Sequence, residues 1–410
     1  MAQKNDLLVA LDVGTTKICC LVATVNEGGG IDIKGLGVAP SSGLSRGRVI
    51  NINDTVKAIR KAVDDAADMS GFDIDSAYVG IAGEHINGRK VQGSVAIRNG
   101  TVGRDDMERA IKGAMVMQVP SDCEILTRVP LEFHIDDRVG IVDPIGMGGT
   151  RLEVFVHAFT VSSNALRDLA RCVMDAGLNV DDIFLESVAS AESVLTPAEK
   201  QQGVVLIDIG GGTSDLAVFA NGAIHHIFEV GMGGDALSHD LATGLNISLE
   251  TAEILKLSHG CCHEGLVDED YEIEVPSLDG LNSVNIGVSS VCQILRKRVE
   301  ELFGYLSNNL TQSGFDDVVR NVVLTGGTAL LKGLPEMGLE YFNRQIRVGY
   351  PSYVGGLAET VANPMYSTVV GLLLYGPQER GDPSLPLTGS TEHGAGSLGR
   401  LFGRIKQMFG

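Results

Sequence analysis

The chain has 410 residues, of which 44% are hydrophobic, so it can bury a sizeable core and divide into two or more domains. Its formal net charge of -20 would repel a phosphate backbone over most of the surface, which excludes nucleic acid as an expected partner. The cysteines show no C-x-x-C spacing, the N-terminus lacks a signal-peptide pattern, and no apolar run approaches the ~18 residues of a spanning helix, so we expect a cytosolic protein with reduced thiols and only peripheral membrane contact.

The first predicted element is a β-hairpin at residues 7–22, where two apolar runs flank a small polar turn. The same pattern returns at residues 204–219. Two matched copies so far apart in the chain predict an internal duplication.

Both hairpin turns have the composition of a phosphate-binding loop. Glycine allows a sharp turn and leaves backbone N–H groups bare, so that consecutive amides can converge on phosphate oxygens. Asp12 and Asp208, each at the end of a buried strand, are expected to face a Mg²⁺ ion through its waters. The expected phosphate-binding residues are Gly14, Thr15, Thr16, Lys17, Gly210, Gly211, Gly212 and Thr213.

Either loop alone could be a plain hairpin with a glycine turn, and it is the duplication that favours phosphate binding. A P-loop is excluded because no G-x-x-x-x-G-K-[ST] occurs, and a dinucleotide-binding loop because no G-x-G-x-x-G follows the first strand. We therefore expect a phosphate site that is gripped from two sides.

A third segment, residues 321–334, predicts a buried strand, a double-glycine turn and the start of an amphipathic helix. The bare backbone of Gly326 and Gly327 could approach an adenosine closely. Such a turn is common in α/β proteins, so it gains weight only because it follows the second loop.

The C-terminal residues divide into a linker and a helix. Residues 379–396 are rich in Pro, Gly, Ser and Thr, which predicts a flexible linker. Residues 397–410 have apolar side chains on one helical face and three basic residues without an acidic one, so we expect weak, reversible membrane-surface binding; docking on the protein's own core or on a partner helix is the alternative. The expected membrane-contacting residues are Leu398, Arg400, Leu401, Phe402, Arg404, Ile405, Lys406, Met408 and Phe409.

The order of these motifs resembles the actin-like ATPase superfamily, which includes actin, bacterial MreB and the DnaK-type chaperones. Residues 184–193 and 363–373 match its two connecting helices. The resemblance implies an α/β fold of two lobes, a duplicated ribonuclease H-like core, with ATP and Mg²⁺ in the cleft between them.

The resemblance also implies catalytic roles. Glu186 stands where the superfamily has a carboxylate that orients an attacking water, and Asp12 and Asp208 would act through Mg²⁺. A solvated glutamate at a helix start is the alternative for Glu186. Hydrolysis itself stays open, and we expect at most a slow Mg²⁺-dependent reaction.

Residues outside the nucleotide motifs resemble the FtsA family of bacterial cell-division proteins, over nearly the whole chain. The matching segments 80–86, 125–133 and 143–157 correspond to that family's inserted subdomain; without the family, residues 143–150 are only a turn-rich loop. The resemblance implies that the insert serves self-association and the recruitment of later division proteins.

Two segments of the second half add candidate residues. Residues 231–242 predict a glycine turn that enters a helix, and the resemblance places Gly233 and Gly234 near the nucleotide. Residues 291–303 predict an amphipathic helix. On it, the resemblance makes Lys297 and Arg298 candidates for contacting either the nucleotide sugar or the C-terminal tail of FtsZ, and a solvated helix face is the third possibility.

The resemblance also divides the chain into subdomains. They are 1–84 with 166–197 as the first core subdomain, 85–165 as the insert, 198–226 with 310–378 as the second core subdomain, 227–309 as an FtsZ-docking subdomain, 379–396 as the linker and 397–410 as the membrane helix.

The function implied is that of a cell-division adaptor. It would bind ATP, self-associate into actin-like polymers, and tether the FtsZ ring to the cytoplasmic face of the plasma membrane at the division site. One alternative is a sugar kinase of the same superfamily, for which no further catalytic aspartate is evident. The other is an actin-like platform of a pilus or secretion machine, which would leave the insert and the tail unexplained.

Overall fold

The computed structural model describes residues 7–115, 120–141, 143–268, 270–278 and 281–379. The predicted linker beyond its first residue and the predicted membrane helix at 397–410 lie outside these ranges. Within them, no helix is both long enough and apolar enough to cross a membrane.

The first segment is an antiparallel meander followed by a helix and a strand. Strands β1 and β2 are nearly continuous apolar runs because the sheet is covered on both faces. The Asn51 side chain caps the helix by accepting the Asp54 N–H, and Gly71 ends it in the left-handed conformation. The elements are β1 Leu7–Val13, β2 Lys17–Val25, β3 Ile31–Pro40, β4 Leu44–Ser45, β5 Arg48–Val49, α1 Ile52–Ser70 and β6 Ser76–Ile81.

The insert forms a separate antiparallel sheet covered by one helix. Its elements are β7 Ile86–Ala96, α2 Arg104–Met115, β8 Cys123–Ile135, β9 Arg138–Ile141 and β10 Arg151–Ser162. The strand order is β7-β10-β8-β9, and Phe133, Ile135 and Leu152 belong to a core of its own between this sheet and α2. The predicted turn-rich loop connects β9 to β10.

The chain then returns to the first lobe and crosses to the second. The returning elements are α3 Ser163–Asp175, β11 Asn179–Leu185, α4 Glu186–Val194 and α5 Pro197–Gln202. The second lobe contains β12 Val204–Ile209, β13 Ser214–Ala220, β14 Ala223–Val230, α6 Gly234–Leu245, α7 Leu249–His259, β15 Glu272–Pro276, β16 Ser283–Gly287, α8 Val288–Ser313, β17 Asn321–Thr325, α9 Leu334–Phe342 and β18 Gln345–Val348. The last elements are β19 Val354–Gly356 and α10 Ser367–Glu379.

Strand order confirms the predicted duplication. The first-lobe sheet runs β11-β6-β1-β2-β3-β19 and the second-lobe sheet runs β14-β13-β12-β17-β18. In each lobe, three antiparallel strands are followed by two strands that join in parallel. Both phosphate loops therefore occupy the same place in the two sheets, after the first strand of the meander.

The two lobes are joined by the crossing of α4 and α10. The helices approach so closely that a Cβ on Gly371 would lie 1.8 Å from the Ala189 carbonyl oxygen. Small residues on both helices permit this contact.

Two details differ from the sequence-based expectations. After β17 a short 3₁₀ turn at Gly327–Leu330 comes first, and α9 begins only at Leu334, because Gly326 and Gly333 have φ angles of 85° and 86° that interrupt a helix. The boundaries drawn after residues 165, 226 and 309 fall inside α3, β14 and α8, since a resemblance carried by short motifs does not show where a long element ends.

Candidate functional site

The two phosphate loops have the same turn geometry and touch each other across the cleft. Gly14 N–H donates to the Lys17 carbonyl at 3.1 Å, and the equivalent bond from Gly210 to Thr213 is 3.0 Å. A Cβ on Gly211 would lie 1.6 Å from Thr16 Oγ1. Glycine is therefore required in the second loop for the lobes to come this close.

The later glycine motifs converge on the second loop. Gly234 N–H donates to the Gly210 carbonyl at 2.9 Å and Asp235 N–H to the Gly211 carbonyl at 2.8 Å. Thr328 Oγ1 also donates to the Gly210 carbonyl, at 2.9 Å. Three segments that are far apart in sequence thus form one wall of the cleft.

Gly326 and Gly327 lie beside the second of the two predicted Mg²⁺ ligands. With φ at 85°, Gly326 approaches Asp208 so closely that a Cβ would lie 2.4 Å from Oδ1. Gly327, by contrast, has ordinary space, with Met365 Cβ 3.6 Å from a Cβ built there.

Asp12 and Asp208 are the penultimate residues of β1 and β12 and are only 6% and 8% exposed. Lys17 Nζ lies 3.5 Å from Asp12 Oδ2. Ser190 Oγ on α4 donates to Asp208 Oδ2 at 2.7 Å. Burial raises the pKa of Asp208 to about 6, although the Ser190 hydrogen bond opposes the shift.

Glu186 is the first residue of α4, and its side chain lies over Gly80 rather than extending into solvent. Burial raises the pKa of Glu186 well above its usual range, and the charges of Asp12, Asp215 and Asp208 raise it further. A carboxylate in such surroundings is stabilised by a cation, so the three acids and Glu186 together favour a divalent ion with its waters.

Lys17 supplies the positive charge of the first loop. Burial alone would lower the pKa of Lys17, but Asp12 and Cys19 outweigh this and the pKa is raised. Its ammonium group also lies 5.6 Å from the centre of the Tyr366 ring. Lys17 is therefore held charged at the bottom of the cleft.

A cavity of about 30 Å³ lies behind the first loop, which is enough for one or two water molecules. It is bordered by Thr15, Thr213, His85 and Glu186. Glu186 thus has room for water on one side.

The described residues contain no group of three or more His, Cys, Asp or Glu side chains placed to hold a metal ion by themselves. Asp12 and Asp208 still fit the predicted role, because Mg²⁺ usually takes one or two carboxylates, several waters and the phosphates of its nucleotide. The carboxylates, loop amides and Lys17 together suit Mg-ATP rather than a bare ion.

Sequence reasoning missed several site residues. Asp215 and Glu229 extend the acidic group, since Asp208, Asp215 and Glu229 are neighbours across β12, β13 and β14. Burial raises the pKa of both Asp215 and Glu229. An aspartate inside the fully buried strand β13 was the one available signal.

Lys256 and Glu253 were also missed. Lys256 Nζ on α7 donates to the Gly234 carbonyl at 2.9 Å and to Glu253 Oε2 at 2.7 Å, which places both side chains at the predicted nucleotide turn. Their i,i+3 spacing on an otherwise ordinary helix carried no signal of this.

Lys297 and Arg298 lie on α8. Lys297 is exposed, whereas Arg298 forms a two-pronged ion pair with Asp240 of α6, at 2.6 and 2.9 Å. Arg298 thus braces α8 against α6, and its predicted binding roles stay predictions.

Two family models match the chain. The model described as "Cell division protein FtsA" matches residues 205–371, and the model described as "SHS2 domain inserted in FTSA" matches residues 83–160. The second range agrees with the insert from β7 to β10.

Curated relatives described as "Cell division protein FtsA" are similar over nearly the full chain. The Pseudomonas aeruginosa protein is 40% identical over 391 residues, which cover 95% of this chain and 94% of the relative. The Neisseria meningitidis protein is 39% identical over 417 aligned positions, covering 100% of both. The Escherichia coli K12 protein is 33% identical, covering 92% of both.

Solved structures share the fold at low sequence identity. The PilM-PilN type IV pilus biogenesis complex matches with a TM-score of 0.66 and 16% identity, covering 90% of this chain and 98% of that one. MreB 5 of Spiroplasma citri bound to AMPPNP matches with a TM-score of 0.56 and 13% identity, covering 93% and 98%. The predicted actin-like, two-lobed α/β fold with an inserted subdomain is confirmed.

Proposed function

The chain belongs to the FtsA family of bacterial cell-division proteins, and on that premise we propose that it binds Mg-ATP in its cleft and acts as an assembling adaptor. In this role it would link the FtsZ ring to the cytoplasmic face of the plasma membrane. The observation that carries the proposal is the meeting of two duplicated phosphate loops around Asp12, Asp208 and Lys17.

The cleft supports a definite orientation of the nucleotide. The amides and hydroxyls of both loops would hold the phosphates, while Asp12 and Asp208 would hold Mg²⁺ through its waters. The Gly233–Gly234 turn with Lys256, and the Gly326–Gly327 turn, would line the nucleoside side. A neighbour of the same fold, MreB 5, is described as bound to AMPPNP.

Glu186 is the proposed orienting residue for slow hydrolysis. Burial and the charges of Asp12, Asp215 and Asp208 raise the pKa of Glu186, so without a cation nearby it is a poorer anion than an ordinary glutamate. Binding of Mg-ATP would lower this pKa and make Glu186 available as an acceptor.

The adaptor role divides among the other parts of the chain. The insert would serve self-association and later division proteins, residues 227–309 would dock the FtsZ C-terminal tail, and residues 397–410 would contact lipid. A polymer that presents many weak helices would multiply their modest individual affinities.

Nucleotide binding is tested by titrating a fluorescent ATP analogue with and without Mg²⁺. We expect Mg²⁺-dependent binding that is lost in Asp12→Asn and Asp208→Asn and retained in Asp64→Asn, which changes an exposed aspartate on α1. Equal binding by all four proteins would refute the assignment of the cleft.

Membrane tethering is tested by liposome co-sedimentation. Deletion of residues 397–410 should abolish sedimentation with anionic vesicles and leave ATP binding unchanged. Persistent sedimentation of the shortened chain would refute the proposed membrane tether. The docking role is tested separately, by comparing the binding of an FtsZ tail peptide with that of its scrambled sequence.

A further inference from the structure

A pair of crossed hydrogen bonds joins the two lobes away from the α4–α10 crossing. Gly83 N–H in the first lobe donates to Glu229 Oε2 in the second lobe at 2.6 Å. In return, Gly231 N–H in the second lobe donates to Glu84 Oε1 in the first lobe at 2.9 Å. We call these two bonds the clasp.

The clasp is attached directly to the nucleotide wall. Gly231 lies two residues before Gly233, in the turn that leads from β14 to α6 and is seated on the second phosphate loop through Gly234 and Asp235. Movement of that turn away from the first lobe must therefore stretch or break the clasp.

The clasp is also connected to the acidic group. Glu229 on β14 stands opposite Asp215 on β13, and Asp215 stands opposite Asp208 in the sheet. A row of carboxylates thus runs across three strands, from a predicted Mg²⁺ ligand to the first-lobe backbone at Gly83.

A further contact of the same strand reaches the insert. The insert begins at Ile86, next to the clasp, and β14 packs against β7 and β8. Lys90 on β7 lies 4.6 Å from the centre of the Phe315 ring, and Phe315 lies against His225 of β14, with ring centres 5.2 Å apart. The clasp therefore lies between the nucleotide cleft and the insert.

We propose that Glu84 and Glu229 are positioning residues that hold the two lobes closed around the nucleotide and, through β14, set the position of the insert. This inference rests on the proposed nucleotide-binding function. Each lobe supplies one side-chain acceptor to a backbone N–H of the other, and distances of 2.6 and 2.9 Å are those of well-formed hydrogen bonds. Closing the cleft thus needs both carboxylates.

The first measurement is the dissociation rate of a fluorescent ADP analogue. Loss of the acceptor should accelerate dissociation about 10-fold in Glu229→Ala and about 3-fold in Glu84→Ala, the latter being smaller because Glu84 is exposed. Glu229→Gln and Glu84→Gln keep a carbonyl oxygen and should restore most of the wild-type rate. Glu272→Ala, an exposed glutamate on β15, is the matched control.

The second measurement is amide hydrogen exchange without nucleotide. Residues 83–86, 229–234 and strand β7 should exchange faster in both alanine variants than in wild type and the control, and the glutamine variants should exchange like wild type. Unchanged exchange, or a glutamine variant as fast as its alanine counterpart, would overturn the proposal.

The two measurements separate this proposal from the one on which it rests. If the wild-type protein fails to bind the analogue, the proposed ATP-binding function falls, and hydrogen exchange still decides on the clasp. If the analogue binds and the alanine variants release it at the wild-type rate, the clasp has no positioning role.

Discussion

The two phosphate loops are copies of one hairpin, yet they balance their carboxylates by different means. In the first lobe Asp12 stands opposite Cys19 and beside the cation of Lys17. In the second lobe Asp208 stands opposite another acid, Asp215. The two copies thus share one fold but differ in the charges beside their aspartates: a lysine in the first copy and a second acid in the other.

The second copy relies on the connecting helices. Asp208 accepts hydrogen bonds from Ser190 of α4 at 2.7 Å and from Thr368 of α10 at 3.5 Å. A change in the charge of Asp208 therefore acts directly on the hydrogen bonds at the junction of the two lobes. Asp12, by contrast, is paired with the Lys17 cation within its own loop. If the cleft binds Mg-ATP as proposed, this asymmetry would let the first loop hold phosphate through Lys17 and the second loop connect the site to the α4–α10 junction.

The largest effect on ATP affinity is expected when the contact between the two loops, at Gly211 and Thr16, is broken. Gly211→Ala would place a Cβ against Thr16, force the loops apart and reduce ATP affinity about 100-fold, the order expected for a displacement of ~1 Å. Gly304→Ala, on α8 at a position where a Cβ would meet nothing within 4 Å, should bind like wild type. A fluorescent-analogue titration with a circular-dichroism check of folding measures this.

The second-largest effect is expected from Lys17, the cation beside Asp12 in the first loop. Lys17→Met leaves Asp12 without its ion partner and the phosphates without a positive charge, so ATP affinity should fall about 10- to 100-fold. Lys57→Met, which removes an exposed lysine on α1, should change nothing. Wild-type affinity in Lys17→Met would mean that loop amides alone bind the phosphates.

The raised pKa of Asp208 in the second loop predicts that the free energy of unfolding depends on pH. The pKa of Asp208 is raised, so its contribution to stability is full below its unfolded pKa and is lost as pH rises through about 6. In nucleotide-free protein, denaturant titrations from pH 4 to 7 should show a loss of stability that is smaller by about 2 kcal/mol in Asp208→Asn than in wild type. Asp64→Asn should retain the loss.

The contact between the insert and β14 should respond to pH in the opposite sense. Burial lowers the pKa of His157 to about 4, with charge from His226 and Lys90 acting in the same direction. Stability from this site is present above the unfolded pKa of histidine and is lost as pH falls.

We expect this loss to be about 1 kcal/mol between pH 7 and 5.5, the smallest of the four effects. Denaturant titration should show it in wild type and in His239→Phe, which changes an exposed histidine on α6. The loss should be about 1 kcal/mol smaller in His157→Phe. An equal loss in all three proteins would contradict the assignment.

Local sequence patterns predicted much of the fold and about half of the residues that form the candidate site. Each phosphate loop is formed by residues that are neighbours in sequence, so a short segment is enough to predict it. The duplication indicated that the two loops contribute to one site. Asp215 and Glu229 became visible only through strand register, and Lys256 only through the folding of α7 over Gly234. The membrane helix at 397–410 lies beyond the described residues and stays a prediction.

Strand β19 and helix α10 have a consequence for how the chain is made. Both come from the last part of the described chain, yet β19 pairs with β3 and α10 packs on β1, β2 and β6 of the first lobe. An N-terminal lobe emerging from the ribosome therefore lacks an edge strand and the cover of one face until synthesis reaches residue 379. Contacts so distant in sequence form slowly, so we expect the nascent first lobe to expose apolar surface for most of translation, when such surface favours aggregation or chaperone binding.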